Sequence, residues 1–288
     1  MANPTAVDMS GRFRRLVDMK DLNLVLKPQI DAYLNLAKFP DVFTVTFHKA
    51  GKAREPDGYF HPSTHPLWPA RMLYYYLTAG DRMEAEQLSY ESRMAVTMGT
   101  AVHAFIEMCV RDMGVMVPLT GTCPTCKRPH GTKKGQCDEY GGADEKIGSR
   151  GHMDGVVHIE VAGTYWVPGT GGFEFKTTNP KAAGARLESN DLEGFKTTWP
   201  EYYAQVQEYM EITGLRQFLV IVAVLGFPWK IIEFQIPYDP AWARQVRMKY
   251  QVVRDHEKMG TPPDPCCSPR SKEAKACPAR FVCPIGRL

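Results

Sequence analysis

No stretch of this chain is apolar enough to cross a bilayer. The longest apolar run, Phe218 to Leu225 and loosely on to Trp229, falls far short of the ~20 residues a spanning helix needs. The first residues, MANPTAVDMSGRFRR, lack the apolar core of a signal peptide, so a cytoplasmic protein is expected. Charge of one sign is lacking too. The 35 Lys and Arg against 32 Asp and Glu leave a net charge of +3, which leaves any nucleic-acid contact to a local patch. No internal repeat and no low-complexity tract is visible. The composition, 44% apolar and 23% charged, excludes a fibre and a disordered tail. The length of 288 residues fits one large domain or two small ones. Such a chain buries roughly three quarters of its unfolded surface.

What is present in quantity is cysteine, with eight residues. In a reducing compartment these point to metal rather than to disulfides. Cys123, Cys126, His130 and Cys137 follow the spacing C-x2-C-x3-H-x6-C, a donor set suited to tetrahedral Zn²⁺. The surrounding segment 121–148 has no periodicity and nothing apolar to fold around, so it is read as an inserted loop held by a structural zinc. Zinc would hold the basic Lys127–Lys134 segment, which directly precedes the acidic Asp138–Glu145, rigid where it could meet phosphates. A second set, Cys266, Cys267, Cys277 and Cys283, lies in a Pro-rich tail from Pro262 that carries five Lys and Arg. Cys109 reads as a core thiol on a helix.

Along the chain, residues 1–60 form an irregular N-terminal extension with a short helix from Leu22 to Leu36. A helix over 66–78 should turn Leu67, Leu73, Tyr74 and Leu77 inward. Another covers 84–113, with Gly99 costing it roughly 1 kcal/mol against Ala, enough to break it there. Strands are expected at 153–160 and 172–177. A helix at 202–213 leads to a strand at 218–225 that is buried on both faces. A strand at 229–236 would pair with it as a hairpin. Asp239 and Pro240 then cap a helix reaching Met259, with Trp242, Val246, Tyr250 and Val253 on one stripe. This order of helices and strands specifies an α/β fold.

Four fragments carry chemistry together. Gly99, His103 and Glu107 share one helix face at i, i+4 and i+8. Gly151-His-Met-Asp154 places an acid in or beside a strand. In Phe173-Glu174-Phe175-Lys176, Glu174 and Lys176 project to one side and the two Phe to the other. Gln205 and Tyr209 lie one helical turn apart. Each fragment alone has an ordinary structural reading: a core histidine, a turn, a solvated ion pair, an unremarkable helix. Asp154 and Glu174 on adjacent strands, however, can place two hard oxygen ligands around one Mg²⁺ or Mn²⁺, with Lys176 beside the same ion.

In these motifs the chain resembles the PD-(D/E)XK nuclease superfamily, and within it the RecB-like branch of CRISPR-associated and phage recombination exonucleases. Gly99 and His103 match that branch's Gly-x-x-x-His. Gly151 and Asp154 match its Gly-x-x-Asp, Glu174 and Lys176 its Glu-x-Lys, and Gln205 and Tyr209 its Gln-x-x-x-Tyr. All four occur in order, and the resemblance covers residues 63–236. It implies a restriction-endonuclease-like core over 61–260, with a central mixed sheet flanked by helices, the zinc-knuckle insertion at 121–148 and a Cys-rich tail over 261–288 packing on the core.

The implied activity is divalent-metal-dependent DNA hydrolysis, by an exonuclease of replication, recombination or repair working with a recombination or helicase partner. By resemblance, Asp154, Glu174, the Phe175 carbonyl and His103 hold the ion, and the imidazole tilts the preference toward Mn²⁺. Lys176 orients or deprotonates the attacking water, or steadies developing charge. Gln205 and Tyr209 position the DNA strand, Tyr209 with a face for base stacking, and Glu107 supports His103. Several members of the branch tie the tail to an upstream Cys through a 4Fe–4S cluster, but Trp68 stands about where that Cys would fall. Either the four tail thiols hold one ion or cluster, or Cys109 completes the set, or the site is zinc. The competing class is a non-catalytic, metal-stabilised nucleic-acid-binding protein. A degenerate nuclease usually loses an acid or the Lys, and this chain keeps both acids and the Lys.

Overall fold

The computed structural model describes residues 23–36, 57–83, 89–131, 133, 135–137, 139–179, 187–226 and 229–287. Most of the N-terminal extension lies outside them. The apolar run after Gln217 forms β5 (Gln217–Val224), buried along nearly its whole length. A strand buried on both faces belongs at a sheet's centre, and β5 runs between β4 (Gly169–Thr178) and β6 (Lys230–Pro237). It pairs parallel with β4 and antiparallel with β6, the latter as the expected hairpin. β3 (Gly155–Ile159) pairs antiparallel with β4 from Gly155↔Phe173 to Ile159↔Gly169 and completes a mixed sheet in the order β3-β4-β5-β6. A separate hairpin joins β1 (Tyr140–Asp144) to β2 (Ser149–Met153). β1 falls inside the segment read as a loop, and Asp154 sits at the break between β2 and β3.

Helices cover both faces. On one, α3 (Tyr90–Asp112) lays Val102, Ile106 and Val110 against Phe173, Phe175, Leu219 and Ile221, beside Ile30 of α1 (Lys27–Leu36). On the other, Phe195 of α4 (Leu192–Thr198) and Tyr203, Val206 and Met210 of α5 (Pro200–Thr213) meet Phe218, Val220, Val222 and Phe234. A third core forms where α2 (Ala70–Ala79) crosses α6 (Pro240–Met259). Leu73 and Tyr74 pack there with Val246, Tyr250 and Val253, and with Ala279 and Cys283 of the tail. The tail carries two short helices, α7 (Lys272–Ala276) and α8 (Pro284–Arg287).

Local signals set most boundaries. The Asp239 carboxylate accepts from the N–H groups of Ala241 and Trp242, both at 3.0 Å, and caps α6 as expected. α3 differs from expectation in two ways. It begins at Tyr90 behind an N-capping Ser89, residues 84–88 lying outside the described set, and it runs unbroken through Gly99. Leu67 was expected inward, but it precedes α2 and is 49% exposed. Among the described residues, no helix is long and apolar enough to cross a membrane.

Candidate active site and metal centres

The site forms where β3 has ended and β4 continues. β3 covers one edge of β4 only as far as Phe173, and beyond it a side chain replaces the missing strand: the Phe175 N–H donates to Asp154 Oδ2 at 2.7 Å. In an extended strand the N–H and C=O of one residue face the same edge, so the Phe175 carbonyl opens on the side of Asp154. His103 reaches the same oxygen from α3, its Nε2 3.2 Å from Asp154 Oδ2. Glu107, one turn on, places Oε2 3.9 Å from that Nε2, while its Oε1 accepts from Arg111. Gly99 is what lets α3 come so close to β4. A Cβ at Gly99 would stand 2.6 Å from Thr177 Oγ1.

Glu174 and Lys176 share the opposite face of β4 from Phe173 and Phe175. Lys176 Nζ lies 2.7 Å from Glu174 Oε1, and the same oxygen accepts from Gln205 Nε2 at 2.8 Å. Glu174 is only 4% exposed, and its Oε2 is buried with no hydrogen-bond partner. An orphaned buried carboxylate oxygen is costly unless something completes it. Glu174 feels the charges of Asp154 and His103, and carboxylate oxygens with an imidazole are donors that a divalent cation accepts.

The charges reflect this crowding. Burial pushes the Glu174 carboxyl up, the Asp154 charge pushes it further, and despite Lys176 it stands at about 7. Burial works against the Lys176 ammonium, but Glu174 and Asp154 outweigh it and hold its pKa above the ordinary value. His103 is likewise raised, burial being overcome by its hydrogen bond to Asp154 and by the surrounding acids.

Gln205 and Tyr209 are both buried. They are 4% and 3% exposed. Gln205 donates to Glu174 and to the Tyr209 hydroxyl (3.3 Å), and that hydroxyl donates to the His152 carbonyl. In this structure these side chains brace Glu174 against β2. Tyr202 went unnoticed in the sequence. Its ring stands over Lys176, with Nζ 5.1 Å from the centroid, and its only sequence signal is that it precedes Gln205 by three positions on α5.

The insertion's cysteines also gather, but not with His130. The ligand atoms of Cys123, Cys126, Cys137 and His152 all lie within 4.8 Å of one another. His130 instead turns Nδ1 toward the Cys137 carbonyl, 3.1 Å away, because 130 and 137 are bridged neighbours in the knuckle. His152 sits inside the Gly151–Asp154 motif, 15 residues beyond Cys137, where no zinc-knuckle spacing would seek it.

The four tail cysteines line one small cavity with Arg71 and Tyr75 of α2. Arg71 Nε donates to Cys283 Sγ at 3.4 Å. Neither Trp68 nor Cys109 lines that cavity. Cys109 is fully buried, and burial lifts its thiol to about 11. A single zinc needs thiolates about 3.8 Å apart, given its ~2.3 Å bonds. Among the described residues, the only group of three or more donors within 4.8 Å is the one containing His152.

No family model matches the chain, and no curated protein matches it. Among solved structures, it is similar to an alkaline exonuclease from Laribacter hongkongensis at 16% identity and a TM-score of 0.41, covering 71% of this chain and 90% of that one. The same exonuclease in complex with dAMP gives 16% identity and a TM-score of 0.40 over 70% and 89%. A structure designated SSO0001 gives 13% and 0.40 over 91% and 95%.

Proposed function

We propose that the chain is a divalent-metal-dependent DNA nuclease with a RecB-like, restriction-endonuclease-like core, acting as an exonuclease in recombination or repair. The observation that carries the reading is the junction of β3 and β4, where Asp154 meets His103, and where the buried Glu174 next along β4 gives one oxygen to Lys176 and leaves Oε2 unpartnered. Mg²⁺ or Mn²⁺ held by Asp154, Glu174, His103 and the Phe175 carbonyl would supply Lewis acidity to water and to the scissile phosphate. Lys176, kept charged by its two acids, orients the attacking water and steadies negative charge on the phosphate. Gln205 and Tyr209 keep Glu174 in place, and the Tyr202 ring stands over the Lys176 ammonium. Cys266, Cys267, Cys277 and Cys283 would hold a 4Fe–4S cluster that fastens the tail to α2, an electronic and structural group remote from hydrolysis.

The test is degradation of end-labelled linear DNA and closed circular DNA with Mg²⁺ or Mn²⁺. The reading expects loss of linear DNA alone, abolished by Asp154→Ala. Cleavage of closed circles would make the protein an endonuclease. DNA binding without any cleavage would make it the non-catalytic binding protein.

A further inference from the structure

Among the described residues from 121 to 139, only Cys123, Thr125 and Cys137 are buried. The segment thus has thiols where a folded unit would have an apolar core. It is nevertheless ordered as a knuckle: the Lys127 N–H donates to the Cys123 carbonyl (2.9 Å) and the Cys123 N–H to the Arg128 carbonyl (2.8 Å). Small units without a core need a staple. Thr125 Oγ1 fastens the knuckle onto the β1–β2 hairpin, through the carbonyls of Gly142 (3.0 Å) and Gly151 (2.7 Å). β1 passes directly under the thiols, and a Cβ at Gly141 would lie 2.6 Å from Cys123 Sγ.

The donor geometry matches one ion. Cys123 Sγ and Cys137 Sγ lie 3.3 and 3.8 Å from His152 Nε2. Ligands at the corners of a zinc tetrahedron stand about 3.5–3.8 Å apart. The other ring nitrogen of His152 faces Glu139, with Nδ1 3.4 Å from Oε2. A carboxylate there fixes the tautomer and ring orientation of a metal-bound imidazole.

We propose that Cys123, Cys126, Cys137 and His152 form a zinc site whose fourth ligand is His152, and that this site positions Asp154 for the second metal. His152 lies in β2 and Asp154 is two residues on. The carbonyl of His152 receives the Tyr209 hydroxyl, which is hydrogen-bonded to Gln205, which holds Glu174. One anchored residue thereby fixes the chain leading to one acid and the brace behind the other. His152 is a positioning residue, and the knuckle acts on the candidate active site through it. The zinc half stands alone; the positioning half rests on Asp154 being a metal ligand.

Metal analysis and manganese titration of the full chain, followed by EPR, test both halves without any DNA. Wild type and His130→Ala should carry zinc at Cys123, His152→Ala should lose one equivalent, and His152→Cys should keep it, since a thiolate replaces the imidazole. Zinc removed by chelator, or His152→Ala, should weaken Mn²⁺ binding about tenfold or more, with the circular dichroism of the sheet preserved and His152→Cys recovering affinity. Zinc unchanged in His152→Ala, or lost in His130→Ala, overturns the ligand assignment. Manganese affinity indifferent to zinc overturns the positioning role. A wild type that binds zinc but no manganese refutes the nuclease reading, and the positioning role with it, while the zinc assignment stands on its own count.

Discussion

Gly99 costs α3 about 1 kcal/mol of helix propensity against Ala, yet the helix runs straight through it. The side chain that Ala would add meets Thr177 Oγ1 at 2.6 Å, and overpacking of that kind costs about 1–3 kcal/mol. Gly99→Ala is therefore expected to destabilise the protein in urea unfolding, whereas adding Thr177→Ala should reverse the sign and leave the double variant at least as stable as wild type. Non-coupled effects in that cycle would remove the contact from the account. Tyr202 offers a second residue-scale test. Tyr202→Ala removes a ring from over a half-buried ammonium, an interaction worth ~1 kcal/mol, so turnover should fall roughly fivefold while Tyr202→Phe stays near wild type. Asp154, Glu174, Lys176 and His103 were legible as types at spacings. Gln205 and Tyr209 are legible as positions, while their burial is not, because it depends on what α5 packs against. His152 was not legible at all, since His130 offered a nearer nitrogen and only the β1–β2 pairing brings residue 152 to the thiols.

At the scale of elements, the chain announced what its apolar runs could announce. β5 is read from a continuous β-branched stretch, β6 from alternation, α6 from its cap and stripe. β1 is not legible because three of the five residues of Tyr140–Asp144 are glycine or acid, with no alternation to read. Its pairing is fixed by β2 and by the knuckle above it. α1 shows a tertiary cap that no local pattern predicts. The N–H of Lys27, which opens α1, and those of Val25 and Leu26 just before it all donate to the buried Glu233 carboxylate of β6, at 2.7, 2.9 and 2.8 Å. A carboxylate at a helix N-terminus satisfies its orphan donors and meets the positive end of its dipole. Glu233→Ala is expected to cost on the order of 3 kcal/mol, seen as a lower urea midpoint, and Glu233→Gln about half of that. An unchanged midpoint would show that α1 does not depend on this cap.

At the scale of the whole molecule, α6 joins the sheet domain to the tail through a buried polar pocket. Glu208 on α5 accepts from Ser149 Oγ at 2.6 Å, while its second oxygen and the Tyr250 hydroxyl are buried without partners. Burial is the main force lifting the Glu208 carboxyl to about 7, with Glu211 adding to it and Ser149, Arg247 and Lys249 opposing. The folded state thus holds a proton between about 4.5 and 7 that the unfolded chain releases. Stability from this group is fully present below the unfolded value and is lost as pH rises through the folded one, by on the order of 3 kcal/mol. Glu208→Gln should flatten that dependence and melt higher than wild type at pH ~8. Equal slopes for the two proteins would place the titration elsewhere.

The central claim is that the junction of β3 and β4 is a hydrolytic metal site. Its most direct test is nucleotide release from linear DNA as Mn²⁺ is titrated, comparing wild type with Lys176→Ala. The account predicts divalent-dependent release by wild type and a loss of roughly 10²–10⁴-fold in the variant, which still binds manganese through Asp154 and Glu174. Equal release by the two proteins, or none by a folded, manganese-loaded wild type, would contradict it.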